Sequence, residues 1–277
     1  MKHMQLVVLA TVFLAGMALP AAFADEGPLD KSEPKGTTPE EIIQRFAAKE
    51  KEFKLALDQY GYRESAKTQT LDGSTPDGEF QEVFDVAFDD QGRRVKNVVF
   101  APLPTLTRIF MSREDYDDLE NGLPMVLTSD EIGQYNLLYV GQQQEDELHC
   151  YVFDIAPKQI EPKKRYFQGR IWVDDHDFQI VKTYGKMVPE TRGNKKGKGQ
   201  ENLFPNFTTW RQQVDGKYWF PTYSRADDTL HFATSDVKIR EIVKYENYKR
   251  FGSKATITYE GKEVPKGDQK DKPQQPQ

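Results

Sequence analysis

The chain of 277 residues has one cysteine, four histidines, no excess of basic residues and, beyond residue 24, no long apolar run. With Cys150 alone, an intramolecular disulfide is impossible, so packing must hold the fold. The strand-like run 148–155 predicts a buried thiol there rather than an intermolecular bridge. His149 and Cys150 are adjacent and face opposite sides of a strand, so they cannot share a metal, and His3 and His231 offer no ligand spacing. Asp174, Asp175, His176 and Asp177 read as a solvated hairpin turn, a place that suits Asp and its polar neighbours. A net charge of −6 gives no basic surface for nucleic acid. The chain has no G-x-S-x-G, no H-E-x-x-H, no glycine-rich phosphate loop and no Ser/His/Asp set in a recognisable context. No catalytic residue, metal ligand or cofactor site is therefore assigned, and the chain is not expected to be an enzyme. An exported hydrolase stays as a minor reading, because 44 acidic residues guarantee chance carboxylate pairs.

The start of the chain reads as a signal peptide over 1–24. Lys2 and His3 form a short polar start, residues 4–24 carry no charge, Pro20 breaks the apolar run, and Ala22-Phe23-Ala24 supplies small residues for cleavage after Ala24. A membrane anchor is the alternative, since the uncharged stretch is close to spanning length. The early proline and the A-F-A site favour cleavage and export. No cysteine near the site could accept a lipid.

Segment 25–37, rich in Gly, Pro, Lys, Glu and Ser, predicts a flexible linker. Thr38-Pro39-Glu40-Glu41 then announces a helix. Its apolar stripe runs through Ile42, Phe46, Phe53, Leu57 and Tyr60, and Gly61 fits its end. After it the period becomes two. Runs 80–88 and 94–100 form one hairpin, with Phe80, Phe84, Val86, Phe88 and Glu82 sharing a face. Further hairpins pair 135–141 with 148–155 across the polar run 142–147, 165–173 with 178–187, 207–214 with 218–224, and 230–234 with 237–245. Run 255–259 adds a possible last strand. Two segments interrupt the meander. Segment 101–132 contains an apolar patch at 106–111 and a helix start at Ser112 that predicts a short helix over 113–121, placed to cover a barrel mouth. Segment 190–201 carries Arg192, Lys195, Lys196 and Lys198 among glycines and reads as a loop that is either merely soluble or touches anionic lipid or an acidic partner. The tail 261–277 predicts disorder. The expected fold is mainly β with α: an unclosed antiparallel β-barrel of about ten or eleven strands over 38–260, with a long N-terminal helix and a helical lid.

Bulky apolar residues occupy both faces of two runs. Phe167, Ile171 and Val173 alternate with Tyr166 and Trp172, and Trp210 opposes Phe207. Either one face packs on the helix while the other lines a second apolar space, or both belong to an ordinary two-sided core.

The stretch Tyr166-Phe167-Gln168-Gly169-Arg170-Ile171-Trp172-Val173-Asp174, continued through 177–182, resembles the Y-x-G-x-I-W-V-D hairpin of the outer-membrane lipoprotein-sorting proteins, the LolA/LolB/RseB-like superfamily. Asp215-Gly216-Lys217-Tyr218-Trp219-Phe220-Pro221 is similar to a strand entry common in those proteins. The resemblance implies a periplasmic protein whose unclosed barrel holds lipid or lipoprotein acyl chains in an apolar cavity beneath helices. It also implies possible inner- or outer-membrane partner proteins, and it leaves open an RseB-like envelope sensor or interaction module. On this reading Phe84, Phe88, Trp172 and Trp210 are wall candidates, and Leu106, Ile109 and Phe110 lid candidates.

Overall fold

The computed structural model describes residues 26–251 apart from 90, 92, 112–126, 162–163 and 190–202. The leader 1–24, the lid helix 113–121, the basic loop 190–201, the strand 255–259 and the tail 261–277 lie outside those residues. Among the described residues no helix is long and apolar enough to cross a membrane.

Helix α1 spans Pro39–Leu57 and starts as the sequence predicts. The Thr38 hydroxyl accepts a hydrogen bond from the Glu41 N–H, while the Glu41 carboxylate accepts from the Thr38 N–H, so two orphan donors of the first turn are satisfied. The helix ends earlier than its apolar stripe suggests. Asp58 caps it, and Tyr60 and Gly61 belong to the next strand, paired with Arg250 and Lys249. Gly61 is needed for space rather than for a helix end: a Cβ there would lie 2.7 Å from the Phe251 ring.

Among the described residues ten strands follow in chain order: β1 Tyr60–Asp72, β2 Thr75–Phe88, β3 Arg94–Phe100, β4 Tyr135–Glu145, β5 Leu148–Pro157, β6 Tyr166–Asp174, β7 Ile180–Val188, β8 Phe207–Val214, β9 Tyr218–His231 and β10 Asp236–Arg250. They form one antiparallel sheet in the order β3-β2-β1-β10-β9-β8-β7-β6-β5-β4. Pairing of β10 with β1 closes the meander everywhere except between β3 and β4, so the sheet is unclosed and those strands are its edges.

Three expectations change. Strand β1 is added, because its inward face carries Glu64, Thr68 and Thr70 and so lacks an apolar alternation. Strand β4 continues through Gln142–Glu145, which the sequence suggested as a loop. Strand β9 runs unbroken to His231, so 230–234 is no separate strand. The linker 25–37 also differs from expectation. From Glu26 it lies along the β4 edge, with the Gly27 N–H donating to the Gln144 carbonyl at 3.0 Å. Asp30 and Gln142 exchange two backbone bonds of 2.8 and 2.7 Å.

The core sits between the sheet and α1. Ile42, Phe46 and Ala47 pack with Phe153 of β5, Phe167 and Ile171 of β6 and Ile180 of β7. Further along, Phe53, Ala56 and Leu57 pack with Phe220 of β9, Tyr62 of β1 and Val86 of β2. The buried helix positions cover about half its circumference at 3.6 residues per turn. The sheet therefore curls around α1. One ion pair lies inside this contact. Glu50, fully buried, accepts from the Arg211 guanidinium of β8 at 2.7 and 3.2 Å, and that guanidinium lies over the Phe53 ring at 4.5 Å.

Removing one member of a buried pair strands a charge, at a cost of about 3–5 kcal/mol. Glu50→Ala is expected to lose that much stability in urea denaturation, while Glu50→Leu with Arg211→Met together loses clearly less. A single-variant loss below about 1 kcal/mol would show that the pair does not fasten the helix.

Candidate functional site

The sheet face turned away from α1 carries the candidate site, and the hairpin of β6 and β7 builds it. On β6, Ile171 and Val173 point to α1 and Trp172 points the other way. A Cβ on Gly169 would lie 2.1 Å from the Tyr184 carbonyl, so glycine lets β7 approach closely. Asp174 accepts the Asp177 N–H at 2.6 Å and closes the turn. A bulge between β6 and β7 then decides which residue meets the indole. Val173 pairs with Ile180 but Trp172 pairs with Lys182, leaving Val181 as the extra residue. Without that bulge, alternation would turn Lys182 toward α1.

The Lys182 ammonium is 3% exposed and lies 4.7 Å from the Trp172 ring centre and 6.0 Å from that of Trp210. It donates to both oxygens of Glu145 at 2.9 Å and also to Glu26. Glu145 is 5% exposed and Glu26 is 52% exposed. The Trp172 indole N–H donates to Gln143 at 2.8 Å, and the Gln143 amide donates to the Gly27 carbonyl at 2.8 Å. One lysine thus sits between two indoles, against one buried and one half-exposed carboxylate. Burial holds the Glu145 carboxyl above its ordinary value; the bonds to Lys182 oppose that rise and the Glu26 charge adds to it.

From this cluster a groove of about 1010 Å³ opens across β4 to β8, at the upper end of ligand-site volumes. Leu138, Trp172, Lys182, Tyr184 and Thr208 line it, and its accessible lining is mainly carbon. Leu138 is 65% exposed. Arg170 in the groove forms a two-pronged pair with Asp154 at 2.7 and 3.0 Å. A smaller cavity of about 300 Å³ beside it shares Tyr184 and Thr208 and adds Trp210.

The seven residues singled out from the sequence do not converge. Trp172 and Trp210 flank Lys182 on the groove side. Phe84 is buried within the sheet's inner face, beneath the Lys96 ammonium at 5.0 Å. Phe88 meets the Phe251 ring edge-on at 5.5 Å. Leu106 and Ile109 pack against Leu230, Val237 and Ile239, in a segment with no regular structure up to Met111. Phe110 is 87% exposed. Sequence reasoning missed Lys182, Glu145 and Glu26. A lone lysine inside the apolar run Ile180-Val181-Lys182 was the available signal; nothing local marked Glu26. Asp174, His176 and Asp177 bring ligand atoms within 4.8 Å of one another. Asp177 already accepts from Trp219 and contacts His176, as a turn requires. Cys150 is buried, and burial pushes its thiol pKa up.

No protein-family model matches the chain, and no curated protein matches it significantly. Solved structures are similar at low identity. A DUF1329 family protein from Desulfovibrio piger is 13% identical, with TM-score 0.41, covering 79% of this chain and 96% of that one. A LolA superfamily protein from Nitrosomonas europaea is 15% identical, with TM-score 0.36, covering 78% and 94%. A domain described as an outer membrane lipoprotein-sorting protein, from Vibrio parahaemolyticus, is 12% identical, with TM-score 0.34, covering 71% and 86%.

The Glu145 carboxyl gives a pH test. A carboxyl held above its ordinary 4.5 in the fold contributes stability below that value and loses it as pH rises through the folded value. Glu145→Gln removes this contribution. The stability difference between variant and wild type, from urea denaturation, should therefore move in the variant's favour between pH 4 and pH 7. An unchanged difference would contradict the assignment.

Proposed function

We propose that the chain is an exported, periplasmic lipid-binding carrier of the lipoprotein-sorting type, and that its acyl-chain site is the groove on the sheet face turned away from α1. The observation that carries this reading is the division of labour between the two faces. The inner face is covered by α1 and, over β9 and β10, by Leu106 and Ile109, while the outer face offers a groove beside Trp172 whose accessible lining is mainly carbon. Each buried methylene is worth about 0.8 kcal/mol, so a single acyl chain gains from such a groove what it loses in water. On this reading the protein catalyses nothing. A hydrolase would need free carboxylates facing a polar cleft, whereas Asp154 is engaged by Arg170 and Glu26 by Lys182. On this reading the signal peptide expected over residues 1–24 would supply the route of export.

A second reading, an envelope sensor or interaction module, is supported by the β4 edge. That edge already accepts an added backbone segment at Glu26 and Asp30, so it can accept a partner's strand in the same way.

Native mass spectrometry of protein purified from the periplasm is expected to find co-purified lipid. Leu138→Asp should weaken binding of a fluorescent fatty acid about tenfold, as expected for placing a charge where a chain packs. It should leave the melting temperature unchanged, because Leu138 is exposed. No co-purified lipid and no fatty-acid binding would refute the carrier reading, and capture of a membrane-bound regulator instead would favour the second.

A further inference from the structure

The Lys182 cluster has a feature that acyl-chain binding does not require. A buried cation stands at the end of a groove whose accessible lining is mainly carbon although Asp154, Arg170 and Lys186 also line it, and one of its two partners is a half-exposed side chain from outside the sheet. We propose that Lys182 is the headgroup site of the groove, that its ligand is a single-chain amphiphile ending in a carboxylate (a fatty acid), and that Glu26 occupies the site as an internal stand-in until the ligand displaces it. The proposal rests on the lipid-binding reading and adds the chemical class of the ligand.

Charge selects the class. Lys182 and Glu145 neutralise each other, and Glu26 adds one negative charge. Exchanging the Glu26 carboxylate for a ligand carboxylate leaves that balance unchanged. A phosphate monoester, at about −1.5 to −2 near neutral pH, would bring up to one more negative charge beside the buried Glu145. An ammonium has three donors and no acceptor, so the third position of Lys182 fits one acceptor oxygen. The two indole faces beside the ammonium exclude water and favour the cation. An alcohol or ester headgroup would leave Lys182 without the charge that Glu26 supplies.

Geometry makes the exchange possible. Glu145 is 5% exposed and holds Lys182 in place, whereas Glu26 is 52% exposed. The backbone beyond Glu26 is anchored separately, at Gly27 to Gln144, at Asp30 to Gln142, and by Leu29 against the Trp172 cluster. Rotation of one side chain therefore vacates the site without unfastening the segment from β4.

The test compares dodecanoic acid with dodecanol, each displacing a fluorescent probe from the wild type, from Glu26→Gln, and from the double variant Lys182→Met with Glu145→Gln, which leaves no buried unpaired charge. The wild type should bind the acid more tightly than the alcohol. Glu26→Gln should tighten acid binding about threefold, the scale of one exposed ion pair, and leave alcohol binding unchanged. In the double variant the two ligands should bind equally. Equal binding of acid and alcohol to wild type, or an acid affinity that Glu26→Gln leaves unaltered, would overturn the headgroup site while the carrier reading stands. Binding of neither ligand would overturn both. Should the double variant fail to melt cooperatively, the Glu26→Gln arm decides alone.

Discussion

A wide antiparallel sheet must cover at least one of its faces, and here α1 covers one, helped over β9 and β10 by Leu106 and Ile109. That constraint organises the molecule. α1 presents half its circumference to strands from β5 round to β2, and the sheet curls to meet it. The Glu50–Arg211 pair lies at the middle of this contact, where a charge is tolerable only because its partner and the Phe53 ring are in place. Because α1, with Leu106 and Ile109, occupies the hollow of the sheet, the apolar residues of the opposite phase are left with a surface of their own. Trp172, Val181 and Cys150 form a second, smaller cluster there, and the groove begins at its edge.

That second surface is polarised by one local irregularity. The extra residue at Val181 turns Lys182 onto the indole side, and the sheet then supplies Glu145 from β4 to neutralise it. The remaining partner, Glu26, comes from a segment laid along the β4 edge. An unpaired edge strand is a site of unwanted association, and the added segment covers part of it. The same few residues thus protect an edge and fill an anion site.

Much of this was legible in the sequence where one physical rule acts alone. Thr38 and Glu41 announce the helix because capping is local. The phases of Phe167 and Trp172 separate the two faces of β6 because side chains alternate on a strand. Legibility fails where distant partners override local pattern. Strand β1 hides because Glu64 is balanced by Lys96, far along the chain, so its inward face looks polar. The end of β4 reads as a loop because its run of glutamines looks solvated, whereas Gln143 accepts from the Trp172 indole and donates to the Gly27 carbonyl. Tyr60 seems to extend the helix stripe because it packs on the same Phe220 ring from the neighbouring strand. Aromatic residues on a strand do not tell the inside of the curl from the outside, and Phe84 and Trp172 lie on different faces.

All three tryptophans, Trp172, Trp210 and Trp219, lie at the groove-side cluster, away from the α1 core. Quenching of intrinsic fluorescence by a fatty acid brominated along its chain therefore locates the chain directly. The account predicts saturable quenching that tracks binding of the unbrominated acid. Saturable binding with unquenched tryptophans would place the chain elsewhere and contradict the account.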